Sequence, residues 1–287
     1  MTHTRSHEMD NGSLFLLMAS VFTATAGYGI VLPILPSLLE RLLSDARQFS
    51  VSWHTGMLAS IYMLALFAFA PMWGHFSDHI GRRPVILLGL GGSVLALVLS
   101  GLVGSLGLVY LVRFLSGVFS AAVLPVAWAY VGHTSPPPWR ARRFAWMSIA
   151  SGLGFLAGPA LGGALSGAAI LFGAQASLFS LPFFVAAIMA ALLWGAIYLK
   201  LPAAVALDPP RPVKSAAPYT QKPRPLWTLL FLTLLVMFGL GSFEVGITLR
   251  GQQTFGFGPA EIGLAAGVAP VDPGAFRGLG LRALAGL

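Results

Sequence analysis

The sequence predicts an all-α, polytopic membrane protein, and three observations predict it. Apolar types make up 56% of the 287 residues and charged types only 9%, with a mean hydropathy of +0.81; a water-soluble globule of this size needs more polar surface than that. The apolar residues come in runs of about 20 or more, the length a helix needs to cross a hydrocarbon core of roughly 30 Å. The basic residues fall mostly in short segments between those runs. A formal charge of +8 would suggest nucleic acid in a soluble chain, but this placement implies anionic lipid headgroups as neighbours and no nucleic acid.

Against that length the runs give seven spans, at about 14–38, 55–73, 84–104, 107–131, 144–166, 175–199 and 226–247. The first follows a mixed head with Arg5, Glu8 and Asp10 and exceeds the roughly 7 to 15 residues of a signal-peptide core, so it reads as an uncleaved span. Glycine and proline inside several spans affect straightness rather than span identity, because membrane helices tolerate both. One face collects Arg5, Arg82, Arg83, Arg140, Arg142, Arg143, Lys200, Arg211, Lys214, Lys222 and Arg224; the other collects Arg41, Arg47 and Arg250. The richer face is expected to be cytoplasmic, which places the N-terminus inside.

The domain layout follows. Residues 1–13 form a cytoplasmic N-terminus and 14–199 a six-helix transmembrane bundle. Residues 200–225, proline-rich, basic and without an apolar period, read as a flexible cytoplasmic linker. Residues 226–265 supply a seventh helix and the loop after it. Residues 266–287 break the pattern, since Asp272, Pro273, Arg277 and Arg282 interrupt every window of useful length; they are expected to be a frameshifted or disordered tail, with a short surface helix over 276–287 as the alternative.

Between the second and third spans lies Gly74-His75-Phe76-Ser77-Asp78-His79-Ile80-Gly81-Arg82-Arg83-Pro84. In a tight turn between antiparallel helices, Gly74 and Gly81 allow close approach and positive φ, Asp78 offers a carboxylate, and Arg82 and Arg83 supply fixed cations. An ordinary basic loop accounts for the arginines alone. Arg113, inside the fourth span and four residues before Gly117, is a functional candidate because a charge inside a span is costly. Its alternative is snorkelling to the outer interface. In the fifth span Gly154, Gly158 and Gly162, with Gly163 and Pro159, set glycines at four-residue spacing, which makes a smooth groove for a neighbouring helix. Glu244, the one carboxylate inside an expected span, suits a proton carrier if buried. It also stands near the outer end of its span, where water can solvate it.

Taken in order, these motifs resemble the major facilitator superfamily, and within it the twelve-span drug:proton antiporters, over about residues 14–265. The resemblance implies the major facilitator fold, with the bundle as its N-terminal half and the seventh span as the start of the second half. It implies that Gly74, Asp78, Gly81, Arg82 and Arg83 gate the cytoplasmic side, and that Arg113 takes part in proton coupling. It further implies that Gly154, Gly158, Pro159, Gly162 and Gly163 form an antiporter motif, and that Tyr28, in Gly27-Tyr28-Gly29, faces the substrate cavity. One departure is His79, where many relatives carry a second basic residue. A histidine there either tunes the local charge with pH or stands as a solvated bystander.

The expected function is proton-coupled efflux of small drug-like molecules by alternating access across a bacterial inner membrane. The alternative is an inactive fragment, or a half-transporter that needs a partner half or a second copy. A seven-span receptor fits the count but is opposed by the arginine asymmetry. The chain has no cysteine, which excludes thiol chemistry. With no metal cluster, nucleophile triad or phosphate-cradling loop in the sequence, neither an enzyme nor an ATP-driven pump is expected, nor any cofactor.

Overall fold

A computed structural model describes residues 10–43, 48–171, 180–202 and 226–257, together with Ile262. The expected linker over 200–225 begins within α6, which ends at Lys200, and from residue 203 on it lies outside the described residues, as do the tail over 266–287 and the first nine residues. Seven helices occupy the remainder: α1 (Asn11–Leu42), α2 (Gln48–Ile80), α3 (Arg82–Gly101), α4 (Leu106–Thr134), α5 (Pro137–Leu171), α6 (Leu181–Lys200) and α7 (Leu226–Phe255). Six of them, α1 to α6, contain stretches long and apolar enough to cross a membrane. No strand occurs among the described residues.

Several helices outrun the apolar spans because helix and hydrocarbon end for different reasons. Hydropathy marks where the lipid stops, whereas a helix stops where its backbone groups find caps. At the start of α1 the Asp10 carboxylate accepts from the Ser13 backbone N–H at 2.8 Å and opens the helix ahead of the apolar run. At α5 the helix begins at Pro137, seven residues before the apolar stretch expected at 144, and holds Arg140, Arg142 and Arg143 in its first turns. Proline early in a helix costs no hydrogen bond, because the first N–H groups have no intrahelical partner. Helix α6 begins at Leu181 rather than 175, and residues 172–179 lie outside the described set.

Helix α1 packs chiefly on α5, α2 on α4, and α3 on both α4 and α6. Close approach at the first seam is dictated by glycine. A Cβ placed on Gly154 would stand 2.5 Å from the Phe22 carbonyl oxygen, on Gly158 2.7 Å from that of Ala26, and on Gly162 2.6 Å from that of Ile30. Each step of four along α5 thus meets a step of four along α1, the groove expected of that spacing. Gly163 is buried beside them. Pro159 sits on Gly29, where a Cβ would meet the ring at 2.7 Å, so the residue after Tyr28 must also be small.

The bundle has two apolar layers. One joins Leu17, Val21, Val85, Ile86, Leu90, Val126, Val131 and Ile197. The other joins Ile34, Leu35, Leu39, Leu58, Leu97, Val109 and Phe183. Tyr28, Leu32 and Tyr62 form a smaller cluster between α1 and α2.

Candidate functional site

Between the two layers lies a small cavity of about 30 Å³, lined from α1 by Thr23, Ala24, Gly27 and Tyr28, from α2 by Tyr62, from α3 by Leu90, Ser93 and Leu97, and from α4 by Arg113, Ser116 and Ser120. Leu90 belongs to one layer and Leu97 to the other, so the cavity sits where they meet. Ser93 and Ser116 each donate back to the carbonyl four residues earlier, which leaves their oxygens as acceptors toward the cavity.

Arg113 is 3% exposed. Its guanidinium carbon lies 5.7 Å from the centre of the Tyr28 ring and 5.6 Å from that of Tyr62, and the two rings stand 4.7 Å apart. The cation thus lies to one side of a packed pair of aromatic rings and within reach of both, a contact favoured by the ring quadrupole where water is scarce. Gly117 explains how α4 comes close enough: a Cβ there would collide with the Tyr62 carbonyl oxygen and meet Ala65 at 2.8 Å. The R-x-x-x-G spacing is therefore one device, with the glycine bringing α4 onto α2 and the arginine one turn away meeting the α2 tyrosine. Snorkelling to the interface is set aside by this burial.

Tyr28 lines the cavity. Tyr62 escaped the sequence reading, since a single tyrosine in an apolar span has no partner pattern in the chain; the signal lies in Gly117, whose reason is Tyr62. Glu244 falls within α7, but its side chain lies outside the described residues.

The Gly74–Pro84 block folds as the end of α2, a one-residue turn at Gly81 and the start of α3. Gly81 has φ 93, a left-handed conformation that glycine adopts without strain. Within the block Arg82 donates to Asp78 at 2.9 Å. Arg83 does something different: it donates to the Tyr198 carbonyl and lies over the Tyr198 ring at 5.9 Å. Trp194 stacks on Tyr198 at 5.6 Å and donates its indole N–H to the Leu87 carbonyl at 2.9 Å. The second arginine thus ties the block to the last turn of α6, whose carbonyls have no intrahelical partner. The Nε atoms of Arg82 and Arg83 are buried without a hydrogen-bond partner among the described residues.

Other polar groups converge on the same end. His133 feels the charges of Arg82, Asp78 and Arg140, and Tyr130 those of Asp10 and Arg83. The Asp10 carboxyl is held below the usual carboxylate range by its hydrogen bonds from Ser13, side chain and backbone. At the opposite end His54 and the Tyr110 hydroxyl approach to 2.9 Å, and Ser180 donates to the Gly101 carbonyl at 2.7 Å.

Compared with known families, residues 17–286 match the Major Facilitator Superfamily. Among curated relatives, a class B tetracycline resistance protein of Escherichia coli is 34% identical over 62% of this chain and 41% of its own length. Multidrug resistance protein 2 of Bacillus subtilis is 26% identical over 86% of this chain and 60% of its own. The chain therefore spans roughly two fifths to three fifths of these relatives. Among solved structures, the human organic anion transporter MFSD10 superposes with a TM-score of 0.66 at 21% identity, covering 90% of this chain and 68% of that one. A bacterial homolog of the lysosomal transporter Spinster, inward-facing and unoccupied, gives 0.66 at 17% identity over 89% and 57%. At these identities the likeness is one of fold.

Proposed function

The chain belongs to the Major Facilitator Superfamily, and from that premise we propose that it works as a proton-coupled exporter of small drug-like molecules. The observation that carries this reading is Arg113, buried against the Tyr28–Tyr62 ring pair in a cavity to which four helices contribute. A fixed cation at that depth is retained at a cost unless it meets substrate or tunes a proton carrier. Glu244 is the carboxylate we assign to the proton, and Arg113 a second group in the coupling. Tyr28 contacts substrate through its ring. Export rather than uptake is supported by the resistance proteins among the relatives and by the α5 glycine seam, which we assign as the antiporter motif of Gly154, Gly158, Pro159, Gly162 and Gly163.

Gly74, Asp78, Gly81, Arg82 and Arg83 act in this reading as the gate. Support comes from Asp78, which is 55% exposed beside the Arg82 guanidinium and so is open to donors from a second half when that side closes. The basic end faces the cytoplasm of a bacterial inner membrane, with the N-terminus inside.

A second reading is favoured by what the described residues contain, a six-helix bundle and one further helix. Alternating access needs two halves that rock against one another. The bundle then transports only beside a second half, whether from a longer chain or a second copy. Cells expressing this chain, alone and with a complementary half, distinguish the readings through proton-gradient-dependent extrusion of a fluorescent substrate. Extrusion by the chain alone, reduced by Asp78→Asn, supports a self-sufficient transporter. Extrusion only with the added half supports the second reading, and none in either case overturns both.

A further inference from the structure

Two histidines of the gate block have no part in that reading. His75 and His79 stand one helical turn apart on the last turns of α2, both exposed, with ring centres 4.3 Å apart. Residues at i and i+4 share a helix face, so the backbone already holds the two imidazoles side by side. The His79 Nδ1 lies 2.9 Å from the His75 carbonyl oxygen. A carbonyl only accepts, so Nδ1 carries the proton, and in the neutral ring the lone pair falls on Nε2. A ring nitrogen tied to a backbone carbonyl, with the other left as a donor pair, is how metal-ligating histidines are commonly oriented.

We propose that His75 and His79 form a two-nitrogen site for a borderline divalent transition cation such as zinc, nickel or copper, with water completing the coordination. Imidazole suits these ions, whereas magnesium and calcium favour oxygen ligands. No group of three or more candidate ligands occurs among the described residues, so the site is open and its ion exchangeable. Asp78 lies between the two ligands in sequence and is engaged by Arg82 at 2.9 Å. An ion across His75 and His79 staples the turn of α2 that presents this carboxylate, immediately before the Gly81 bend. Occupancy thus stiffens the segment on which the Asp78–Arg82 pair is built.

The test is titration of the purified full chain with Cu²⁺ in detergent, in a His3→Ala, His7→Ala background so that the N-terminal histidines do not compete, and without a histidine tag. Electron paramagnetic resonance should show two equivalent nitrogen ligands. His75→Ala and His79→Ala should each weaken binding on the order of tenfold, because the second imidazole then no longer adds its intramolecular contribution. His54→Ala and His133→Ala should leave it unchanged. A one-nitrogen spectrum in the parent, or equal affinity in the parent and the His75→Ala, His79→Ala double variant, overturns the proposal. Both substituted positions are exposed, and thermal unfolding of the metal-free variants checks that the fold is retained.

Discussion

Arg82 and Arg113 are both buried, yet they are accommodated in different ways. Arg82 lies at the end of the bundle and reaches a carboxylate four residues back on the preceding helix. Arg113 lies between two apolar layers against two phenol rings. The first is met by a turn, an arrangement local in sequence. The second depends on three helices that meet because α4 has glycine at 117 and α5 has glycines where it touches α1. Arginine at the helix end is thus held by local structure, whereas arginine at the cavity depends on the whole bundle, and it is the latter that we propose acts on substrate or proton.

The largest effect should come from breaking the seam that holds Tyr28. In Gly158→Leu the new side chain meets the Ala26 carbonyl and the Gly29 backbone, neither of which can rotate away. Overpacking of this kind costs about 1–3 kcal/mol or more. We expect loss of monodisperse protein in detergent, measured by size-exclusion chromatography, while Gly152→Ala, which has open space, should behave as the parent.

Next is Arg113→Leu, which separates the two arginines most cleanly. Transport should fall on the order of tenfold or more, at least about 1.4 kcal/mol in the transport step. The melting temperature should hold or rise, because a costly buried charge is removed. Arg83→Ala should instead lower the melting temperature, through the lost Tyr198 contacts.

Asp78→Asn should change stability little, since the carboxylate is 55% exposed and such pairs contribute about 0–1 kcal/mol. Its effect should appear in transport rather than in thermal unfolding.

The smallest effect concerns Asp10. Its carboxyl is lowered in the folded state by the Ser13 hydrogen bonds, so its contribution is fully present above the unfolded carboxylate value near about 3.9. That contribution is lost as pH falls through the lower folded value. Asp10→Ala should lower stability by about 0.5–2 kcal/mol at neutral pH, and thermal unfolding across acidic pH should show the difference closing.

Six of the spans were legible because a hydrocarbon core demands an apolar run of about 20 residues from any helix that crosses it. Helix ends were less so. The start of α5 at Pro137 lies in a stretch that hydropathy reads as loop, although Arg140, Arg142 and Arg143 are good helix formers. The α5 glycines announced a close seam but not its partner, because spacing on one helix does not say which neighbour fills the groove. Arg113 drew attention by its cost, whereas Tyr62, Ser116 and Ser120 did not, being ordinary within a span. The Arg83–Tyr198 link joins residues far apart in the chain and had no local pattern to reveal it.

The central claim is that the Arg113 cavity is the working centre of a proton-driven exporter. It is tested most directly by fluorescent-substrate transport in everted vesicles containing this chain with a complementary half, before and after a protonophore, for the parent and Arg113→Leu. Protonophore-sensitive transport is expected in the parent, with its loss in Arg113→Leu and an undiminished melting temperature in that variant. Protonophore-sensitive transport that persists in a folded Arg113→Leu protein would contradict the claim.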